Sequence, residues 1–97
     1  MKGPESRIVA KIREYLRTRP RTWHVKIWGG GGFQIPGLPD LLCCADGRFV
    51  AFEVKIPGKI ATPLQAATLA AIRRAGGIAE TVTSLDQVKF VLDGVKP

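Results

Sequence analysis

Two apolar runs, residues 40 to 45 and 48 to 55, are separated only by Asp46-Gly47. That dipeptide favours a two-residue hairpin turn, because both turn positions need positive φ. Closing a hairpin there sets Ala45 against Arg48 and, stepping outward, Asp40 against Glu53. Successive strand residues alternate between faces. Leu41, Cys43, Val50, Phe52 and Val54 therefore make one face, while Leu42, Cys44, Phe49 and Ala51 line the face that carries Asp40, Glu53 and Lys55. Strands apolar on both faces belong to a sheet covered by helices on both sides.

The charged residues at one end of this hairpin stand out against that background. Opposed Asp40 and Glu53 would have Cβ atoms about 5 Å apart, and two carboxylates so placed repel unless something compensates them. A bound cation does so. Lys55 lies on the same face about 6.6 Å further along the strand. Such a set can hold a divalent metal for phosphodiester hydrolysis; the alternative is an internal ion pair of Lys55 with either acid. The reading depends on register, since a one-residue slip moves Asp40 to the other face.

Charge points to a polyanionic partner. The net charge is +7, and residues 1 to 28 hold eight Lys/Arg against two Glu, a net of +6 that leaves +1 for the rest. A basic block of this kind is expected of a surface that contacts phosphates, with Arg7, Lys11, Arg13, Arg17 and Lys26 on it and Lys59 further along; a solvated helix face is the plain alternative. No apolar run nears the roughly 20 residues of a membrane span. The start of the chain leads directly into an amphipathic segment, so the expectation is a cytoplasmic protein without a membrane role. Adjacent Cys43 and Cys44 point to opposite faces and read as reduced packing residues.

The remaining segments arrange themselves around the hairpin as one domain over residues 1–97. Pro4 opens a helix whose Ile8, Val9, Ile12, Tyr15 and Leu16 recur at helical spacing until Pro20. On that helix Glu5 falls on the apolar stripe and Glu14 opposite it, which makes Glu5 a candidate to join Asp40 and Glu53. Residues 23 to 28 alternate as a half-buried strand with Trp23, Val25 and Ile27 on one face, and His24 reads as a strand-surface residue. The Gly29 to Gly32 run is a flexible loop or a close approach to a ligand. Thr62-Pro63-Leu64-Gln65 reads as a capping box opening a helix that runs to about Ala75, with Leu64, Ala67, Thr68, Ala71, Ile72 and Ala75 as its packing stripe. A short strand, Ile78 to Val82, and a helix from Ser84 to about Leu92 complete the order α-β-β-β-α-β-α.

Glu5, Gly37-Leu38-Pro39-Asp40, Phe52-Glu53-Val54-Lys55, Pro57-Gly58 and Thr62-Pro63-Leu64-Gln65 together resemble the PD-(D/E)xK nuclease superfamily, and within it the stand-alone VRR-NUC domains of phages and bacteria. The resemblance implies an α/β, restriction-endonuclease-like core: a mixed central sheet of about four strands flanked by helices. It implies Mg²⁺ or Mn²⁺ held by Asp40, Glu53 and the Val54 backbone carbonyl, with Lys55 orienting or deprotonating the attacking water. Glu5 would complete the acidic set in an outer shell or at a second metal, and Gln65 would support the site or serve only as a cap. No organic cofactor is implied. The expected activity is that of a homodimeric, structure-selective endonuclease on branched DNA such as four-way (Holliday) junctions, in a prokaryotic or phage-infected cell. The alternatives are a non-catalytic nucleic-acid-binding module of the same fold, or a nuclease acting on DNA ends or flaps.

Overall fold

The computed structural model describes residues 3–28 and 35–96; the Gly29 to Gly32 run lies outside them. Helix α1 (Pro4–Thr18) is followed by strands β1 (Thr22–Lys26), β2 (Leu41–Ala45) and β3 (Arg48–Val54), then α2 (Pro63–Arg74), β4 (Ile78–Val82) and α3 (Leu85–Asp93). This is the expected order. The strands form one mixed sheet, ordered β1-β2-β3-β4, in which the first three run antiparallel and β4 joins β3 in parallel.

The hairpin has the register that its turn dictates. Asp46 (φ 52°) and Gly47 (φ 80°) both take positive φ, and Ala45 pairs with Arg48 through to Leu41 with Phe52. Arg19 and Arg21 bind Asp46 at 3.0 and 3.1 Å, tying the turn to the segment between α1 and β1. Those two cations of the basic block are therefore structural. Arg19's hydrogen bond in particular, reinforced by Arg21, holds the Asp46 carboxyl below its ordinary range.

On one face of the sheet, Leu41, Cys43, Val50, Phe52 and Val54 pack with Val9, Ile12 and Leu16 of α1 and Val88 and Leu92 of α3. This is the main core, and burial pushes the Cys43 thiol up to about 12. The other face is finished differently. Helix α2 covers only the β3–β4 side, where Leu69 packs on Ala51 and Ala79 with help from Ile72 and Leu42.

Three expectations need correction here. The packing stripe of α2 centres on Leu69, whereas Leu64 is 53% exposed and Ala67, Ala71 and Ala75 face water; Leu69 is the large residue that can fill the space above two alanines, and Leu64 lies about 140° away on the helix. Cys44 is exposed. Most informative is β1, which is inverted: Trp23 (64% exposed) and Val25 (36%) face solvent, while Thr22, His24 and Lys26 turn toward the α1 side and are half-buried. His24 accepts a hydrogen bond from Arg13 Nε at 3.2 Å. Burial, then the charges of Arg13 and Arg17, lowers its pKa and favours the neutral acceptor. Among the described residues no helix is long and apolar enough to cross a membrane.

Candidate functional site

The β-ladder delivers its charged residues to one end of the sheet, on the face shared with α2. The Ile27 N–H donates to the Asp40 carbonyl at 2.8 Å, continuing the β1–β2 pairing past Leu41. On the same register Asp40 stands across from Glu53. The approach to Asp40 is fixed by Gly37, whose φ is +81°; a Cβ there would lie 2.8 Å from Leu64 Cγ and 3.1 Å from the Leu64 carbonyl oxygen. Only glycine allows the Gly37-Leu38-Pro39-Asp40 segment to pass so close to the start of α2.

Asp40 Oδ2 accepts the Val54 N–H at 2.8 Å, which locks the carboxylate against β3. Glu53 is only 2% exposed and, among the described residues, is the one charged residue that is buried. Burial, together with the charge and hydrogen bond of Asp40 and the charge of Glu5, pushes its carboxyl up to about 8, while Lys55 pulls the other way. Lys55 Nζ lies 3.7 Å from Glu53 Oε2, and its N–H donates to the Val82 carbonyl at 2.9 Å, extending the sheet beyond β3. The ion pair named as an alternative does form. With the Glu53 carboxyl pushed up, Lys55 offsets only part of the crowding of two adjacent acids.

Glu5, on the first turn of α1, is half-buried and near enough for its charge to act on Glu53. Among the described residues no group of three His, Cys, Asp or Glu side chains gathers to hold a metal by itself. The immediate set is therefore the Asp40–Glu53 pair. Its chemistry fits Mg²⁺ or Mn²⁺: hard oxygen donors, two carboxylates, and one of them buried in a protonation state that a cation would reverse.

Gln65 forms the capping box in full. The Thr62 N–H donates to its Oε1 at 2.9 Å, and its own N–H donates to Thr62 Oγ1 at 3.2 Å. Its oxygen is thus engaged in capping the start of the helix.

The expected phosphate-contacting residues do not form one stripe. Arg7 and Lys11 line a cleft of about 400 Å³ with Pro4, Ile8, Ile56 and Pro57, directly beyond the Glu53–Lys55 end of β3. Arg13 and Arg17 instead act on His24 at the β1 side. Lys26 packs over the Trp28 ring at 4.2 Å, and Lys59 sits exposed in the turn after Pro57-Gly58. Ile56 was missed in the sequence, and Pro57 entered only through the Pro57-Gly58 motif, because an apolar cleft wall has no signature of its own.

No family model and no curated protein matches this chain. Solved structures do. One VRR_NUC domain aligns over 98% of this chain and 100% of its own length, at 23% identity and a TM-score of 0.79. A VRR_NUC domain protein aligns over 96% and 88%, at 18% identity and a TM-score of 0.72. At such low identity the agreement lies in the path of the backbone, and it extends from α1 to α3: the chain has the fold of a VRR-NUC domain.

Proposed function

We propose that this chain is a Mg²⁺- or Mn²⁺-dependent DNA endonuclease, selective for branched structures such as four-way junctions and acting as a homodimer. The observation that carries the reading is the meeting of Asp40, Glu53 and Lys55 at one sheet end, inside a VRR-NUC fold and beside a cleft edged by Arg7 and Lys11. Asp40 and Glu53 would hold the metal, with the Val54 carbonyl as a further oxygen donor. When bound, the metal lowers the pKa of water and neutralises charge developing on the phosphodiester.

The remaining work falls to the chain's own groups. Lys55, held beside Glu53, is positioned to orient the attacking water and to stabilise the anionic phosphorus centre, or to take the water's proton. Glu5 adds negative charge that strengthens cation binding at the pair. Arg7 and Lys11 fix the DNA backbone along the cleft without reading sequence. Gln65 contributes by holding the start of α2 against Gly37, and hence Asp40 in place. The products expected from this family resemblance carry a five-prime phosphate and a three-prime hydroxyl.

Labelled four-way junction, flap, splayed, duplex and single-stranded DNA, each incubated with Mg²⁺, Mn²⁺ or EDTA, provide the test. Branched DNA should be cut only with metal, and Glu53→Ala should lose about 10³-fold or more in rate while keeping most of its DNA binding. Binding without cleavage under every metal condition would make the chain a non-catalytic module. Equal cutting by Glu53→Ala would remove the site assignment.

A further inference from the structure

A large aromatic side chain stands at the same end of the sheet as the carboxylate pair, and neither the core nor the pair uses it. Trp28 is 66% exposed, although it follows directly on the pairing of β1 with β2. Lys26 pairs with Leu41, and the Ile27 N–H reaches the Asp40 carbonyl, so Trp28 stands one residue past the step that holds Asp40. Its ring is backed by a cation. Lys26 Nζ lies 4.2 Å from the ring centroid and also donates to the Ile27 carbonyl at 3.3 Å, which ties the ammonium to the backbone while it covers the indole. Even so, on the order of 150 Å² of flat aromatic surface stays in water.

Strand order fixes what flanks the carboxylates. Across this end of the sheet come Trp28 after β1, Asp40 before β2, Glu53 to Lys55 at the end of β3, and then the cleft edged by Arg7 and Lys11. Neighbouring strands are about 4.8 Å apart, which sets Trp28 roughly 5 Å from the line of Asp40 and roughly 10 Å from that of Glu53. The pair therefore lies between a basic cleft on one flank and a cation-backed aromatic ring on the other. We propose that Trp28 stacks on an unpaired base of the DNA beside the carboxylate pair, and so selects branched or single-stranded DNA over fully paired DNA.

The chemistry of the ring and its surroundings selects this ligand. An aromatic side chain next to a cation is the pairing that holds single strands, because every base has a ring face to stack and a phosphate to neutralise. Bases within a duplex stack on one another, whereas those at a junction, fork or flap are free to turn outward at less cost. Stacking is indifferent to sequence, as selection by structure requires. The ring also sits at the end of the most basic part of the chain, residues 1 to 28 with a net +6, where the field attracts a polyanion. Trp23 makes the contrast. It lies five residues earlier on β1, about 16 Å away, in the Trp23–Cys44–Phe49 row, which holds no cation. That a base on Trp28 leaves its neighbouring phosphate at the carboxylates rests on the proposed nuclease reading; the stacking does not.

Binding measured in EDTA, where no metal-dependent cutting occurs, tests the assignment. By fluorescence anisotropy with labelled four-way junction, splayed, single-stranded and duplex DNA, Trp28→Ala should bind the first three about 10-fold or more weaker and duplex within about 2-fold of the native chain. Trp28→Phe should keep most of the affinity. Trp28→Leu, which retains apolar bulk without a planar ring, should behave as Trp28→Ala does and takes its place if that variant fails to fold by circular dichroism. The chain has two tryptophans, so Trp23→Phe leaves Trp28 as the sole emitter, and single-stranded DNA should quench it. An equal loss on duplex and branched DNA makes Trp28 a plain backbone contact and overturns the proposal. Unchanged binding by Trp28→Ala, or unquenched emission in the bound complex, overturns it as well. DNA held in this Trp28-dependent way but cut under no metal condition removes only the nuclease reading; metal-dependent cutting whose preference for branched DNA survives Trp28→Ala removes only the stacking.

Discussion

The two faces of the sheet start from similar material and end in opposite states. On the α1–α3 side, Leu41, Val50, Phe52 and Val54 are completely buried. On the α2 side the hairpin is as apolar, with Leu42, Cys44, Phe49 and Ala51, yet only the part above β3 and β4 is roofed. The closed face holds the fold together. The half-open face carries both the carboxylate pair and the Trp23–Cys44–Phe49 row, at the place where the roof stops. Apolar alternation therefore shows which residues leave the water of an isolated strand, not what covers them.

The contrast can be tested in stability units, beginning with its strongest point. Phe52→Ala on the closed face should cost about 3–5 kcal/mol in urea unfolding, enough to threaten the fold of a domain this small. If it costs under about 1 kcal/mol, the closed face is not the principal core.

Glu53 should make the half-open face sensitive to pH. Its folded pKa, about 8, lies above the ordinary 4.5; the folded state therefore binds more protons in between, and stability falls as pH rises through that window. The cost is absent below about 4.5 and complete above about 8, amounting to several kcal/mol. Without metal, Tm should drop by on the order of 10 °C or more between pH 5 and pH 8. Mg²⁺ or Mn²⁺ should restore more at pH 8 than at pH 5, and Glu53→Gln should flatten both effects. A pH-independent Tm in the native chain would show that Glu53 is not held as a buried acid.

Gly37→Ala should cost about 1–3 kcal/mol, because it forces a side chain into positive φ and against Leu64. It should also loosen Asp40, seen as weaker metal binding by calorimetry. Thr62→Ala should cost about 1 kcal/mol through loss of the cap at the start of α2. The smallest effect belongs to the open row: in dilute, unassociated protein Trp23→Lys should change unfolding free energy by under about 0.5 kcal/mol. A large loss there would mean that the aromatic row supports the monomer after all.

Much of this molecule is local and so legible in the chain. Asp46-Gly47 specifies its own turn through two positive φ values, and the turn imposes a register that carries Asp40 to Glu53 without reference to the rest of the fold. Pro4 and the capping box of Thr62 and Gln65 mark helix starts for equally local reasons. The site core follows from that register, since Lys55 two residues after Glu53 can only share its face. What pattern could not supply is the inward direction of β1. Its Trp23/Val25 side would be the buried one if burial followed hydrophobicity alone. The edge position of the strand and the Arg13–His24 hydrogen bond beneath it decide otherwise.

The sequence by itself determined the order of elements, the hairpin register, the acidic-lysine set and the concentration of cations in the first 28 residues. Each is set by interactions between near neighbours in the chain. Tertiary structure alone decided that Leu69 rather than Leu64 anchors α2, that Arg19 and Arg21 serve the Asp46 turn, that Arg7 and Lys11 part from Arg13 and Arg17, and that β1 shows its aromatic side to water. Those outcomes depend on which surface arrives to cover which. A strand's alternation names two faces but cannot say which of them a distant helix will reach.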